Sequence, residues 1–373
     1  MSVNNLRIVV AGGGIVGLTM GLALRSLGAH VTVHEQAPEI RAAGASIGLW
    51  KNALDIFTEF GIGEQVYAIG TPVDTWFYDA AGQRFRAPGF SAADYAFLLV
   101  PRPELNTLLA EAAGRDAIQL NSRVVGFEEH PDKVIVRLAN GETEAADLLI
   151  GADGVYSPVR GQLLPDYPAQ NHAGHYVWRA MLPAGDEPAS GNILTVGHHQ
   201  TRGGYSRTYG NQVVWMVNQF DSPEPTGTKK EEALRRAAHL TNLDERDPLR
   251  QLIEATPEER ILHNQVMLVP ALPRWTSNRV ALIGDAAHAL SPHISAGGTL
   301  GVGDVRVLAR LLSQENDMSS ALKKYEANRL PHYQTVRHLA QEVEHAQNAQ
   351  EYAQHYATFS HWMLNEGYQQ SLV

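Results

Sequence analysis

One stretch limits what this chain can fold into. The run Leu6-Arg-Ile-Val-Val-Ala11 is short, apolar and β-branched, and Gly12-Gly-Gly14-Ile15-Val16-Gly17 follows it at once. The run reads as a fully buried parallel strand. The glycines fit G-x-G-x-x-G, and Leu18, Leu22, Ala23 and Leu27 then recur at helical spacing up to Gly28. Each glycine serves a physical purpose. Gly12 permits the tight turn, Gly14 lets backbone approach a pyrophosphate, and Gly17 lets helix and strand pack closely. Phosphates would lie on the N–H groups that open the helix. A second strand, Val31-Thr-Val-His-Glu35, ends in an acid about 20 residues beyond the glycines, where a carboxylate takes a ribose hydroxyl. Gln36 follows it.

At 373 residues the chain exceeds one ordinary core, so two lobes are expected. Composition, 44% hydrophobic and 19% charged, is that of a globular protein. The formal charge of −10, with no basic run, argues against a nucleic-acid partner. The absence of cysteine removes disulfides, thiolate nucleophiles, thiolate metal sites and a cysteinyl cofactor link. None of the 16 histidines forms a pair with ligand spacing beside a carboxylate helix, so a metal site is not expected, and His263 and the late histidines read as surface residues. With no membrane-length apolar run and no leader-like start, a cytoplasmic enzyme is expected.

Two further stretches repeat the pattern of strand, tight turn and helix. One is Asp147-Leu-Leu-Ile-Gly151-Ala-Asp153-Gly154, followed by Ser157 and Arg160. The other is Arg279-Val-Ala-Leu-Ile-Gly284-Asp285-Ala-Ala-His288, followed by Pro292, His293, Gly297, Gly298 and Thr299. An Asp at the mouth of such a strand is placed to accept a ligand hydroxyl over the sheet's carboxyl ends. Small residues from Gly44 to Gly48, including Ser46, suggest backbone close to a flat ligand, with Asn52 capping the next helix. Val73–Phe85 alternates and holds a hairpin signature at Asp79-Ala-Ala-Gly82. Arg102-Pro103 opens another helix. Alternation over 204–209 puts Tyr205, Arg207 and Tyr209 on one strand face, and Val214, Met216 and Asn218 share another; His198, His199 and Arg202 fall in a connection. A solvated sheet face is the plain alternative for these polar residues. The tail after Pro331 is helical, with a stripe of Val336, Leu339, Ala340, Val343, Ala346, Tyr352, Ala353 and Tyr356 that suits packing on its own core.

Together these stretches, in this order, resemble the class A flavin-dependent monooxygenases, the family of para-hydroxybenzoate, salicylate and urate hydroxylases. The resemblance runs from Arg7 to about Leu330. It implies an α/β fold: a Rossmann-like FAD-binding domain (1–72, 99–165 and 274–320) interleaved with an antiparallel substrate sheet (73–98 and 166–273), then a C-terminal helical segment (321–373). It implies non-covalent FAD, with Gly12, Gly14, Ile15, Val16, Gly17, Glu35 and Gln36 at the ADP moiety and Val124 nearby. Arg102 matches an arginine near the flavin phosphates, and Asp153 lies in a motif associated with FAD and NAD(P)H. Asp285 matches the contact to the ribityl chain. Ser46, Gly48, Gly297, Gly298 and Thr299 belong beside the isoalloxazine.

The chemistry implied is reduction of FAD by NADH or NADPH, reaction with O2 to a C4a-hydroperoxyflavin, and hydroxylation of a small electron-rich aromatic or heteroaromatic ring. Oxidation of a non-aromatic or antibiotic-like substrate on the same fold, or flavin binding without turnover, are the alternatives. By the family register Arg202 matches a cationic substrate position. Tyr205, Arg207, Tyr209, Met216 and Pro292 join it as candidates, and His293 could relay a proton. A monomer or homodimer is expected. The chain departs from the family where relatives read Pro-x-x-Gly-Gln-Gly-x-Asn: here Pro292-His-Ile-Ser295-Ala296-Gly297-Gly298-Thr299 stands. Lys51 stands where many relatives have Pro.

Overall fold

The computed structural model describes residues 3–40, 45–185, 193–240 and 247–367; Gly44 lies outside them. Arg7–Ala11 is a strand at the centre of a five-stranded parallel sheet, with Ile8, Val9, Val10 and Ala11 all buried. The order is Val280–Leu282, Leu148–Gly151, Arg7–Ala11, His30–His34, Ile118–Gln119. Ala11 pairs with Gly151, and Gly151 pairs with Leu282. Three strands far apart in sequence therefore end level, and their three glycine-bearing turns emerge along one edge. That is where α/β sheets hold ligands. Helices Ile15–Ser26, Arg102–Ala113 and Gly297–Gln314 pack together beside the sheet, and a three-stranded antiparallel sheet over 124–146 covers its other side.

A seven-stranded sheet forms the second layer. Its order is Leu262–Leu268, Gln170–Pro183, Gln212–Gln219, Thr201–Thr208, Ile193–Val196, Trp76–Asp79, Arg84–Phe85. Neighbours are antiparallel except Ile193–Val196 with Trp76–Asp79. Trp178, Val213, Trp215 and Val217 bury one face against helices Lys229–Ala237 and Pro248–Ala255. Val214 and Met216 turn the opposite face toward the main core. The alternation over 73–85 splits between sheets: Thr71–Asp74 pairs with Ala96–Pro101, whereas Trp76–Asp79 joins the large sheet. The helix at Lys51 is preceded by Trp50 as its cap residue, so Asn52 is not the cap.

The tail forms two helices, Met318–His345 with Pro331 inside it, and Ala349–Leu364. Of the stripe, Val336, Ala340, Val343, Ala346, Tyr352, Ala353 and Tyr356 are buried in the main core and Leu339 is half-buried on it. Phe77 of the large sheet lies 5.0 Å from each of the Tyr352 and Tyr356 rings. His263 stacks on Trp178 and His332 is buried, so neither is the surface residue expected. Among the described residues no helix is long and apolar enough to cross a membrane.

Candidate active site

The first two turns line a cleft of about 690 Å³ that holds Gly12, Gly14, Glu35, Gln36, Arg102, Val124 and Asp153; Asp285 and the rest of the third turn lie outside its lining. Gly12 adopts φ +103°, and a Cβ there would overlap the Ala152 carbonyl oxygen. Gly14 has open space where a Cβ would be. The helix Ile15–Ser26 has no side-chain cap, so the N–H groups that open it are left to a ligand. The side chains of Ile15 and Val16 do other work: Ile15 is buried in the core, and Val16 packs on Gly284 and Gly301. That contact sets two helix starts side by side, at Ile15 and at Gly297. Glu35 is half-buried and accepts from the backbone N–H of Gly13 and of Ala37, each at 2.8 Å. Each carboxylate oxygen keeps a lone pair for a hydroxyl. Asn106, Ser122, Arg123 and Tyr156 also line the cleft, without a motif to reveal them.

Asp153 accepts the Val159 N–H through Oδ2, and its buried Oδ1 has no partner among the described residues. Burial raises its pKa from the ordinary carboxylate value. Arg160 is saturated by carbonyls: its Nη1 donates to Ala286 O at 2.9 Å and its Nη2 to Val155 O at 2.6 Å. It fastens the second turn to the third. Asp285 opens the short helix Asp285–His288, is exposed, and points its Oδ1 toward Gly297.

Beneath this turn lies a cluster that no sequence motif announces. Asp304 is fully buried and accepts from Gly284 N–H at 2.9 Å, His288 Nε2 at 2.5 Å and Arg329 Nε at 2.7 Å. Burial pushes its pKa up, but His288 and Arg329 outweigh that and hold it at about 2.

The flat end of the site gathers at the start of Gly297–Gln314. A Cβ on Gly298 would meet Ile47 at 2.6 Å, and one on Gly48 would meet Ser295 at 3.1 Å. Thr299 turns its hydroxyl inward to accept the Trp50 N–H at 3.2 Å. Ser46 reaches Thr208 Oγ1 at 3.2 Å on the large sheet. Ser295 sits in the left-handed region at φ +52°, a conformation that glycine adopts without strain.

The large sheet supplies the opposite wall. Arg202 is the second residue of Thr201–Thr208, not part of a connection, and pairs directly with Asn218. Gly204 pairs with Met216 and Tyr205 with Trp215. Directly opposed residues share a face, so Arg202, Gly204 and Ser206 stand with Asn218, Met216 and Val214 on the side of the main core. Tyr205 and Arg207 share the other face, and Tyr209 lies in the turn after the strand, which corrects their expected place beside Arg202. Tyr205 packs on the outer helical layer, Arg207 donates to Asn211 Oδ1 at 2.9 Å, and Tyr209 is 43% exposed. Arg179, missed in the sequence, pairs with Met216 on the inner face. Burial, and then the nearby charge of Arg102, lower its pKa.

Arg202 is 1% exposed. Its Nη2 donates to the carbonyls of Glu344 (2.6 Å) and Ala346 (3.1 Å), and its guanidinium lies 4.7 Å over both Phe220 and Tyr352. Its Nε and Nη1 have no partner among the described residues. His293, expected as a proton relay, is not a solvated loop residue. It is buried, with Nδ1 on Ser291 Oγ at 2.8 Å and Nε2 on Ala340 O at 3.2 Å. Pro292 beside it is exposed.

The donor set fits FAD: uncapped helix N–H groups for phosphate, Glu35 and Asp285 for hydroxyls, and small residues around a flat ring. A lost hydrogen bond to a charged group costs about 1.5–3 kcal/mol. Asp285→Ala and Glu35→Ala are therefore each expected to weaken FAD by about one to two decades. Only Glu35→Ala should also lower the apoprotein's melting temperature, because Glu35 alone holds backbone N–H groups. Fluorescence titration of FAD and thermal unfolding of apoprotein check both, and unchanged FAD affinity in both variants contradicts the assignment.

Comparison with known proteins agrees with this geometry. The family described as "FAD binding domain" matches residues 5–340. An aurachin C monooxygenase/isomerase from Stigmatella aurantiaca is 32% identical over 335 residues, 87% of this chain and 85% of its own length. A FAD-dependent urate hydroxylase from Klebsiella pneumoniae is 29% identical over 333 residues, 87% of this chain and 86% of its own. The crystal structure of HpxO from Klebsiella pneumoniae, complexed with FAD and uric acid, superposes with a TM-score of 0.81 at 24% identity, covering 98% of this chain and 97% of that one. With the flavin-type turns level on one sheet edge and a family match over nearly the whole chain, the protein belongs to the FAD-binding family of flavin-dependent monooxygenases.

Proposed function

We propose that the protein hydroxylates a small electron-rich aromatic or heteroaromatic ring, held between the start of Gly297–Gln314 and the inner face of the large sheet. The observation that carries this reading is Arg202, a buried guanidinium between two aromatic rings whose Nε and Nη1 have no partner among the described residues. Burial lowers its pKa, which shows how poorly its charge is solvated there. Such a cation favours an oxyanion on the ring and orients it through a fixed fork. An oxyanion also makes a ring electron-rich, which electrophilic oxygenation requires. Met216 and Pro292 would flank the ring. FAD, when bound, accepts hydride from NADH or NADPH and activates O2. The chain's own residues bind and orient the ring and exclude water. The relatives act on rings of this kind, among them urate and 6-hydroxynicotinate as their names state.

The test is a screen of phenolic, indolic and heteroaromatic acids for stimulated NAD(P)H oxidation, followed by Arg202→Ala. The variant is expected to raise KM about ten- to a hundredfold and to divert reducing equivalents to hydrogen peroxide, with FAD retained. Product formation at wild-type rate, coupling and KM in Arg202→Ala removes Arg202 from the site.

A further inference from the structure

Beside Arg202, further polar atoms are buried without a partner among the described residues, among them Nε2 of His175, Oδ1 of Asn218 and Nδ1 of His172. His175 and Arg202 both lie against one ring, that of Phe220. Phe220 packs on His175 with ring centroids 3.8 Å apart and planes tilted by 31°, and lies under the Arg202 guanidinium. Asn218 faces Arg202 across the strand pair. His175 is 0% exposed.

The hydrogen bonds fix which nitrogen of His175 is bare. His293 Nε2 faces a carbonyl oxygen, that of Ala340, so this nitrogen carries hydrogen and donates. With its ring neutral, His293 Nδ1 accepts from the Ser291 hydroxyl at 2.8 Å. Ser291 has one hydrogen and has now used it. Its oxygen therefore accepts from His175 Nδ1–H at 3.2 Å. A neutral His175 is left with a lone pair on Nε2. Neutrality has a cause: burial, reinforced by neighbouring histidines and Arg202, holds His175 down to about 3 and His293 well below its usual range. The remaining charged neighbours are engaged with each other, since His172 pairs with Glu344. The Tyr352 hydroxyl donates to the His293 carbonyl at 3.0 Å.

We propose that this corner reads a two-atom edge of the substrate ring: Arg202 donates to an oxo or oxyanion oxygen, and His175 Nε2 accepts from an N–H or O–H beside it. The substrate class is then an oxo- or hydroxy-heteroaromatic ring of lactam or ortho-dihydroxy type. A simple phenolate would leave the buried His175 lone pair unmatched, which such a site penalises. This rests on the ring-hydroxylation reading above. It assigns His175 as a specificity-determining residue, with Ser291 and His293 as positioning residues that hold its tautomer.

The FAD holoenzyme is titrated with hydroxypyridines, hydroxyquinolines and oxopurines, following flavin absorbance and NAD(P)H oxidation. The best-bound ring is then compared with its N- or O-methyl analogue. Wild type is expected to bind the analogue about ten- to a hundredfold more weakly. His175→Phe keeps a ring packed on Phe220 and should bind both alike; His175→Gln, which keeps an acceptor, should restore part of the discrimination. Ser291→Ala, which frees the tautomer, should weaken it and serves if His175→Phe fails to fold. Equal wild-type affinity for ring and analogue overturns the proposal, as does discrimination retained in His175→Phe or full in Ser291→Ala. Turnover of carbocyclic phenols but of no donor-bearing heterocycle overturns it while leaving ring hydroxylation intact. No stimulation by any aromatic compound overturns both.

Discussion

Asp304→Ala is expected to destabilise the protein by about 3–5 kcal/mol, the cost of leaving buried charge uncompensated. Asp304 is fully buried, and Arg329, which it accepts from at 2.7 Å, is 2% exposed. The change also strips the Gly284 N–H of its acceptor, at the turn that presents Asp285. FAD affinity should therefore fall with stability, although Asp304 is buried beneath that turn. Denaturant midpoints and FAD titration test this. Asp304→Leu with Arg329→Met, which removes both charges, should be less destabilised than Asp304→Ala. A midpoint unchanged in Asp304→Ala, or a double variant worse than the single, counts against the argument. The pH dependence has a definite sign. A carboxyl lowered from 3.8 to about 2 contributes stability fully above about pH 4 and loses it as pH falls toward 2. The variant's stability should change less across that window than the wild type's.

Gly17→Ala is expected to abolish FAD binding, with affinity reduced by more than about a hundredfold. Alanine's helix propensity works the other way, by about 1 kcal/mol. It loses because the new Cβ would lie inside the Gly12 carbonyl oxygen, a backbone atom with no rotamer to escape into. Helix and turn must separate, by overpacking that costs about 1–3 kcal/mol or more, and the uncapped N–H groups then leave the cleft. Gly14→Ala is the contrast. Its Cβ enters open space, so the apoprotein should melt like wild type while the approach of a pyrophosphate is blocked. Near-normal FAD content in purified Gly17→Ala, or a destabilised apoprotein in Gly14→Ala, would show that the glycines are not separated in this way.

Local sequence determined the parts whose physics is local. A β-branched run followed by spaced glycines has few conformations open to it, so the first strand, its turn and its helix stand where the spacing put them. The same holds for the strands ending at Gly151 and Leu282. Period-two alternation correctly grouped Tyr205 with Arg207, and Met216 with Asn218, because neighbouring side chains on a strand must point opposite ways.

What alternation lacks is an origin. Nothing local says which face meets the main core, and a strand taken to begin at Gly204 hides that Arg202 has the parity of Gly204 and not of Tyr205. Only the helices packed on Trp178, Trp215 and Val217 decide it, by claiming that face for the outer layer. Asp304 and Arg329 are 25 residues apart with no motif between them, and meet because two helices cross beneath the Gly284 turn. His175, Ser291 and His293 come from a sheet strand and a turn more than a hundred residues later. Their tautomer depends on a carbonyl of the helix Met318–His345, that of Ala340. Sequence spacing placed the three glycine-bearing turns because local backbone builds them; the inner face of the large sheet is built from side chains of distant segments, and only their packing says which of them face inward.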